Sequence, residues 1–339
     1  MISSAIDSAL KYSDFTEIII ASNGESLQGD IPEKYLKNKK IKIVRSSKRL
    51  NMPDNWYFGF KHAHSKWVRF LADDDFLVIN PDLLLEILNE SQSTGIKFES
   101  KSFSWTESAR ALKDLGKLEV HANQYEETQI SIKKLKNKFW TYQRLSQIPG
   151  GAAGSILRRD FLLKLQDSNY LFSGIAPDWN TSAHYLHSEE SFTKVNLVLD
   201  YLGVSKYSSV YIAQNLDFVL NPDPLMYSES RLHPRLKSFS SRCPMTWLSR
   251  IDSMLWARQR IGLNTGISDW TLSISAMSTT PSMVTKMYNY LIESIEVTFL
   301  IKATYRIMYA LGIFRYLKYQ LRIRVNSAIK SFHNLRSNL

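Results

Sequence analysis

Apolar positions along the first ninety residues switch between two spacings. From Ser3 to Tyr12 they recur at helical intervals, whereas Thr16 to Ala21 (TEIIIA) is a short β-branched run closed by the turn Ser22-Asn23-Gly24. Pro32 to Leu36 opens a short helix, Ile41 to Val44 reads as a second strand, and Met52 to His64 predicts a helix with Trp56, Gly59, Phe60 and Ala63 on one side. Trp67 to Leu71 is a third strand. Strands alternating with helices predict an α/β fold with a mainly parallel sheet covered on both faces, whose ligands sit beyond the carboxyl ends of the strands.

That rule gives meaning to WVRFLADDDFLVINPDLL, residues 67 to 84. Asp73, Asp74 and Asp75 follow the third strand, and Pro81-Asp82 reads as a helix start. Three adjacent carboxylates cost repulsion and desolvation unless a cation neutralises them, and hard oxygen donors suit Mg²⁺ or Mn²⁺. Such ions keep several waters and take further ligands from substrate phosphates. A solvated acidic turn, or Asp75 capping a helix, accounts for the same residues without a metal. Ser22 and Asn23 lie at the matching end of the first strand, so both elements are expected to face one crevice.

Further along, IPGGAAGSILRRDFLLKL (148 to 165) predicts a Gly-rich turn, a strand ending near Leu157 and a helix from Asp160. GGAAGS lacks the Lys that a phosphate loop needs. SGIAPDWNTSAHYLHS (173 to 188) predicts a helix opened by Pro177-Asp178-Trp179, with an Asp that the helix dipole alone would favour. His184 and His187 stand three apart on it without a third metal ligand at matching spacing, so a core or solvated role is expected for both. Leu197 to Ser209 reads as a strand and loop. Residues 106 to 147 match no motif, and 221 to 290 read as mostly helical.

Composition adds a class and a charge. The 339 residues are 44% apolar, enough for one main domain plus an appended segment. The single cysteine, Cys243, rules out an internal disulfide and points to a reducing compartment, and MISSAIDSAL lacks the pattern of a secretory leader. Net charge is +11, and from Val297 to Leu339 eight Lys or Arg stand with no Asp or Glu. Apolar residues interleave with them, and the longest run, Ile307 to Phe314, is far short of the roughly 20 residues a membrane span needs. A basic amphipathic tail lying on an anionic membrane surface is expected, with a helical pair packed on the main domain as the alternative.

TEIIIASNGES together with RLNMPDNWYFGFKHAHSKWVRFLADDDFLVINPDLL resembles the nucleotide-sugar half of family-2 glycosyltransferases of the GT-A fold. The resemblance covers about residues 3 to 90 and rests on the order and spacing of four elements. It implies a metal and diphosphate site at Asp73 to Asp75: Asp75 in direct contact with Mg²⁺ or Mn²⁺, and Asp73 or Asp74 at the ribose or a metal-bound water. Ser22 and Asn23 would meet the base or ribose, with Asn51 (and Asn55) at the polar positions opening the next helix. Turn-making and capping explain these asparagines as well. The resemblance further implies Asp178 as the catalytic base of an inverting transfer, with Trp179 either lining the acceptor sugar or in the core, and a late loop in which Lys206 meets a phosphate. Family members carry a strand ahead of the helix that is here Ser3 to Tyr12. Its absence from this sequence reads as a misplaced start, a truncation or a replacement.

These readings together predict a GT-A-like catalytic domain over 1–220 (nucleotide-sugar half 1–90, acceptor half 91–220). A helical C-terminal region, 221–339, would carry the basic tail 297–339. The expected activity is metal-dependent, inverting transfer of a sugar from a nucleotide-diphosphate donor to a glycan or lipid-linked acceptor. The place is the cytoplasmic face of the cell membrane in surface polysaccharide synthesis. A truncated nucleotide-binding relic of the same fold is the alternative. A basic nucleic-acid binder is a further reading, without a motif in its support.

Overall fold

The computed structural model describes residues 2–24, 31–104, 125–132, 145–189, 191–204, 231–234 and 245–262. The chain separates into two compact units, Met1–Thr265 and Gly266–Leu339. The basic tail, Cys243, Lys206 and most of 106–144 and 221–290 lie outside the described residues.

Within the first unit, α1 (Ile2–Leu10) buries Ala5, Ile6 and Ser8. Strands β1 (Ile18–Ser22) and β2 (Ile41–Arg45) pair in parallel as a two-stranded sheet, with Ile18 opposite Ile41 and Ser22 opposite Arg45. Their apolar side chains pack with Ile6, Ile31 and Tyr35, the last from the short helix α2 (Glu33–Leu36). Helix α3 (Met52–Phe60) starts where Asn51 accepts the Asp54 N–H at 2.9 Å, with Pro53 in its first turn. It stops four residues short of the expected His64. Strands β3 (Trp67–Val68) and β4 (Phe76–Leu77) flank the acidic turn, and α4 (Pro81–Glu90) follows, capped by Asn80 through the N–H groups of Asp82 and Leu83 at 2.9 and 3.1 Å.

The remaining elements are β5 (Gly95–Ser104), β6 (Glu127–Ser131), β7 (Ser155–Arg158), α5 (Arg159–Asp167), α6 (Pro177–Ser188), β8 (Ser191–Val204) and α7 (Met245–Arg260). The larger sheet runs β3-β7-β5-β8-β4, with β6 also on β8. The α/β class and the GT-A-like layering hold, but the expectation of a mainly parallel sheet is corrected. Only β1–β2 and β5–β8 are parallel, and the other described pairings are antiparallel. Strand direction is decided by partners far apart in the chain, Gly95 with Leu157 and Phe76 with Tyr201, which local periodicity does not reveal.

Two apolar cores sandwich these strands. Helices α5 and α6 contribute Phe161, Leu162, Leu165, Ala183, Tyr185 and Leu186 to one, together with Phe60 and Val68. In the other, Leu84, Ile87 and Leu88 of α4 meet Ile96, Phe98, Leu197 and Leu199, residues at strand spacing on β5 and β8. Helix α7 packs on α6, inside the same unit. No helix among the described residues is long and apolar enough to cross a membrane.

Candidate active site

Expected as strand through Leu71, the chain leaves the ladder after Val68, because Arg69 turns into the protein. Its guanidinium makes a buried ion pair with Asp200 of β8 and donates to the Ser155 carbonyl at 3.2 Å. Phe70 then hands its N–H to the Gly151 carbonyl at 2.7 Å, and the chain enters the acidic turn. Asp73 is exposed, whereas Asp74 and Asp75 are 9% and 8% exposed, too little to be a solvated acidic turn. Strand β8 holds the turn from the other side: the Gly203 N–H donates to Asp75 Oδ1 at 2.8 Å, and the Tyr201 and Phe76 rings stack 5.4 Å apart. Helix α1 supports it from below, where the Leu77 N–H donates to Ser8 Oγ at 3.1 Å.

Burial and two carboxylate neighbours, Asp75 and Asp73, raise Asp74 to about 7. Burial also raises Asp75, with Arg69 and the Gly203 N–H opposing it and Asp200 adding to it. Asp200 is fully enclosed; beyond Arg69 it accepts the Gly154 N–H at 2.9 Å through Oδ2, while Oδ1 has no partner. Lys97 of β5 lies in the same network. Its ammonium donates to the Ala153 carbonyl and to Ser155 Oγ (3.3 Å), and burial, with Arg69 second, lowers it to about 8, against the pull of Asp200 and Asp178. A row of charges thus runs from Asp75 through Arg69, Asp200 and Lys97 to Asp178.

Asp178 opens α6, at the helix start expected from Pro177-Asp178-Trp179. Burial raises its carboxyl; the N–H groups at the helix start and the Lys97 charge oppose the shift. Two supports fix its approach. The Gly-rich loop passes so close that a Cβ on Gly150 would stand 2.3 Å from Ser182 Oγ and 2.6 Å from the Asp178 carbonyl. Its left-handed residues Gly151 (φ 83°), Ala153 (φ 37°) and Gly154 (φ 65°) turn it back towards β7. The second support is α7, whose Asp252 accepts the Ile175 N–H at 2.9 Å and the His233 N–H at 2.7 Å. Ahead of it, Phe172 is held at φ 53° by ring contacts with Trp56 (5.7 Å) and Phe70 (5.4 Å), and its carbonyl accepts Arg231 Nη1 at 3.2 Å. Arg231 also pairs with Asp54 of α3, tying that helix to the approach to Asp178.

The polar residues expected at the base and ribose take backbone roles here. Asn23 spends both ends of its amide on Leu50, donating to the carbonyl at 2.8 Å and accepting the N–H at 2.6 Å. Ser22 is buried at the end of β1, its carbonyl receiving the Ser46 N–H at 3.1 Å, and Asn51 caps α3. A groove of about 390 Å³ opens beside them, lined by Lys48, Arg49, Leu50, Tyr57 and Lys61 among others. His184 fits the core reading: it is fully buried, edge-on to Tyr170 at 5.7 Å, and burial pushes it down to about 3, so it stays neutral. Trp179 packs against the core, again the plainer of its two readings.

Sequence reasoning passed over Arg69, Lys97, Asp200, Asp252 and Arg231. A signal existed for two of them: Arg69 in WVRFL and Asp200 in LVLDYL are single charges inside apolar strand runs, where an unpaired charge is not tolerated, whereas Lys97 shares its strand with Glu99 and Lys101. Nothing comparable marks Asp252 or Arg231.

The acidic turn suits a hard divalent cation in its chemistry: three adjacent carboxylates, of which Asp74 is held near 7 by burial and by carboxylate neighbours that a cation would neutralise. Among the described residues no group of three His, Cys, Asp or Glu converges to enclose an ion. The protein would therefore supply one or two ligands and leave the rest of the shell to phosphate and water.

Comparison with known proteins meets the chain at this turn. The model of the family described as Glycosyl transferase family 2 matches residues 1–154, from α1 through the Gly-rich loop. Over that stretch the chain is similar to family 2 glycosyltransferases, in keeping with its mixed α/β fold. No curated protein matches the chain. Among solved structures, S. aureus TarS 1–349 in complex with UDP aligns at 14% identity over 87% of this chain and 89% of that one, with a TM-score of 0.45. A second crystal structure of S. aureus TarS 1–349 aligns at 16% identity over 96% and 88%, with a TM-score of 0.42.

Proposed function

We propose that the protein transfers a sugar from a nucleotide-diphosphate donor to a glycan or lipid-linked acceptor, with inversion at the anomeric carbon and with Mg²⁺ or Mn²⁺ as cofactor. The observation that carries the reading is the row of charges linking the acidic turn to Asp178 within a domain whose first 154 residues match the family. Asp75 and Asp73 would hold the ion, Asp73 and Asp74 would reach the ribose or a metal-bound water, and Ser22, Asn23 and Asn51 would shape the nucleotide end. The ion, when bound, stabilises charge on the departing diphosphate. Asp178 takes the proton from the acceptor hydroxyl as that oxygen attacks. Its raised pKa suits a base, since a carboxylate above its ordinary range accepts a proton more readily.

The catalytic part is assigned to 1–220 and the helical C-terminal region to 221–339, with the tail 297–339 as a peripheral contact to the inner face of the cell membrane. Surface polysaccharide synthesis is the setting such an acceptor implies.

The test is a donor screen with nucleotide sugars and Mn²⁺, comparing wild type with Asp75→Ala and Asp178→Asn. Transfer or donor hydrolysis abolished by Asp75→Ala supports the turn. Asp178→Asn is expected to retain donor binding and lose transfer by about 10²- to 10⁴-fold. Wild-type turnover that both variants retain would overturn the assignment.

A further inference from the structure

Lys97 is a charge in the interior of a strand that the transfer chemistry above does not use. Its surroundings place it at a junction. Arg69, leaving β3, Asp200 of β8 and Asp178 of α6 are the charges that act on it. Its ammonium grips the Gly-rich loop at the Ala153 carbonyl and at Ser155 Oγ. The same loop is fixed a residue away by Asp200, through the Gly154 N–H, and at its other end lies against the Asp178 carbonyl through Gly150. Ala153 keeps a left-handed backbone, φ 37°, that alanine rarely adopts, so the loop needs a strong hold at that point.

Resting on the reading of Asp178 as the base, we infer that Lys97 is the positioning residue for it: the ammonium fixes the loop against the first turn of α6 and lends positive charge that favours the ionised Asp178 carboxyl. The two effects act together. Burial raises the Asp178 carboxyl; the N–H groups at the helix start oppose the shift first, and Lys97 is the charged side chain that adds to them. Asp200 keeps Lys97 charged, while Arg69 and burial work the other way. Since the balance lies at about 8, Lys97 carries its charge at neutral pH.

Two measurements on the full-length protein test the inference. The first is the pH profile of kcat/KM for transfer in wild type, Lys97→Met, Lys97→Gln and Lys97→Arg. Removing the charge is expected to move the acidic limb upward by about one pH unit or more, with most of the lost rate recovered at high pH, while Lys97→Arg keeps the limb close to wild type. A Lys97→Met or Lys97→Gln rate depressed equally at every pH would mean that Lys97 only holds the loop, and would overturn the inference.

The second measurement needs no turnover. Denaturation midpoints at neutral pH for Lys97→Met, Asp178→Asn and the double variant form a cycle. Lys97→Met is expected to lower the midpoint distinctly more in the wild-type background than in Asp178→Asn. Equal shifts in both backgrounds would refute the coupling, even if the donor screen succeeded. Unequal shifts with a failed screen would leave the coupling standing and remove the proposed reaction.

Discussion

Removing Arg69 isolates the energetic role of the charge row. Its guanidinium is 11% exposed as a side chain and its partner Asp200 is 0% exposed, so the pair is an interior one and the usual estimate for surface pairs, about 0–1 kcal/mol, does not apply. Arg69→Met leaves an enclosed carboxylate with the Gly154 N–H and the more distant Lys97 for company. Breaking a buried pair on one side costs about 3–5 kcal/mol, and the lost bond to the Ser155 carbonyl adds about 1 kcal/mol. Lys97 moderates the figure. Arg69 repels it now, so without Arg69 it stays charged more firmly and shields Asp200 in part. The expected loss is therefore at the lower end, about 3–4 kcal/mol, against a typical total of about 5–15 kcal/mol.

For a unit of this size each kcal/mol lowers Tm by about 2–4 °C, so a drop of roughly 6–16 °C is expected. Urea denaturation followed by tryptophan fluorescence gives the same quantity isothermally. The double variant Arg69→Met, Asp200→Leu should recover part of the loss, because an apolar pair replaces both charges at once while the Gly154 N–H and Lys97 lose their acceptor and counter-ion. A single-variant loss below about 1 kcal/mol, or a double variant no better than the single, would refute the claim that the interior of this sheet is balanced by that ion pair.

Three further outcomes follow from the same geometry. Asp252→Ala strands the Ile175 and His233 N–H groups, which should cost about 2–4 kcal/mol in denaturation and lower kcat by loosening the approach to Asp178; a loss below 1 kcal/mol would show that α7 does not hold that segment. Gly150→Ala drives a methyl into the Asp178 carbonyl and Ser182, so transfer should fall by about tenfold or more with donor affinity kept; unchanged kcat would mean that the loop yields freely. Asp74, raised to about 7, must lose its proton to assist a cation. Mn²⁺ affinity measured by calorimetry should therefore weaken by about tenfold per pH unit below 7 and level off above it, with release of up to one proton; affinity independent of pH would rule out Asp74. In the metal-free protein the sign is opposite. Asp74 binds its proton more tightly folded than unfolded, so between about 4 and 7 its contribution falls as pH rises, and it favours the folded state most at the acidic end of that window.

Local elements were legible where a cap or a turn announces them. Asn51, Asn80 and Pro177 each stand where the sequence places a helix start, and the acidic triplet falls between two strands, although the one before it ends at Val68 and not at the expected Leu71. What stayed hidden is pairing over distance. Arg69 meets Asp200 131 positions further on, and the Gly203 N–H reaches Asp75 across 128. The same blindness produced the mainly parallel sheet: alternation of strand and helix is local, whereas the direction of β7 between β3 and β5 is set by which edges remain to be paired. Asn23 shows a related limit. Its side chain reads as a ligand contact in the sequence, yet Leu50, on a segment 27 positions away, uses both ends of the amide.

The charges that periodicity passes over are the ones that join the two halves of the site. A strand run tolerates an internal Arg, Lys or Asp only if each finds a partner, and partners in a sheet come from neighbouring strands. Arg69 on the chain leaving β3, Lys97 on β5 and Asp200 on β8 therefore specify one another, and with them the order in which their strands must lie. The loop from Gly150 to Gly154 is pinned by two of the three, and that loop sets the spacing to Asp178. An exchange of any one charge for an apolar residue would leave the apolar pattern of its strand more regular and the sheet less well determined. For this reason the expected recovery in Arg69→Met, Asp200→Leu concerns stability alone: with Asp200 gone, Lys97 loses its counter-ion and the loop one of its anchors, so transfer should stay depressed in a protein that folds well.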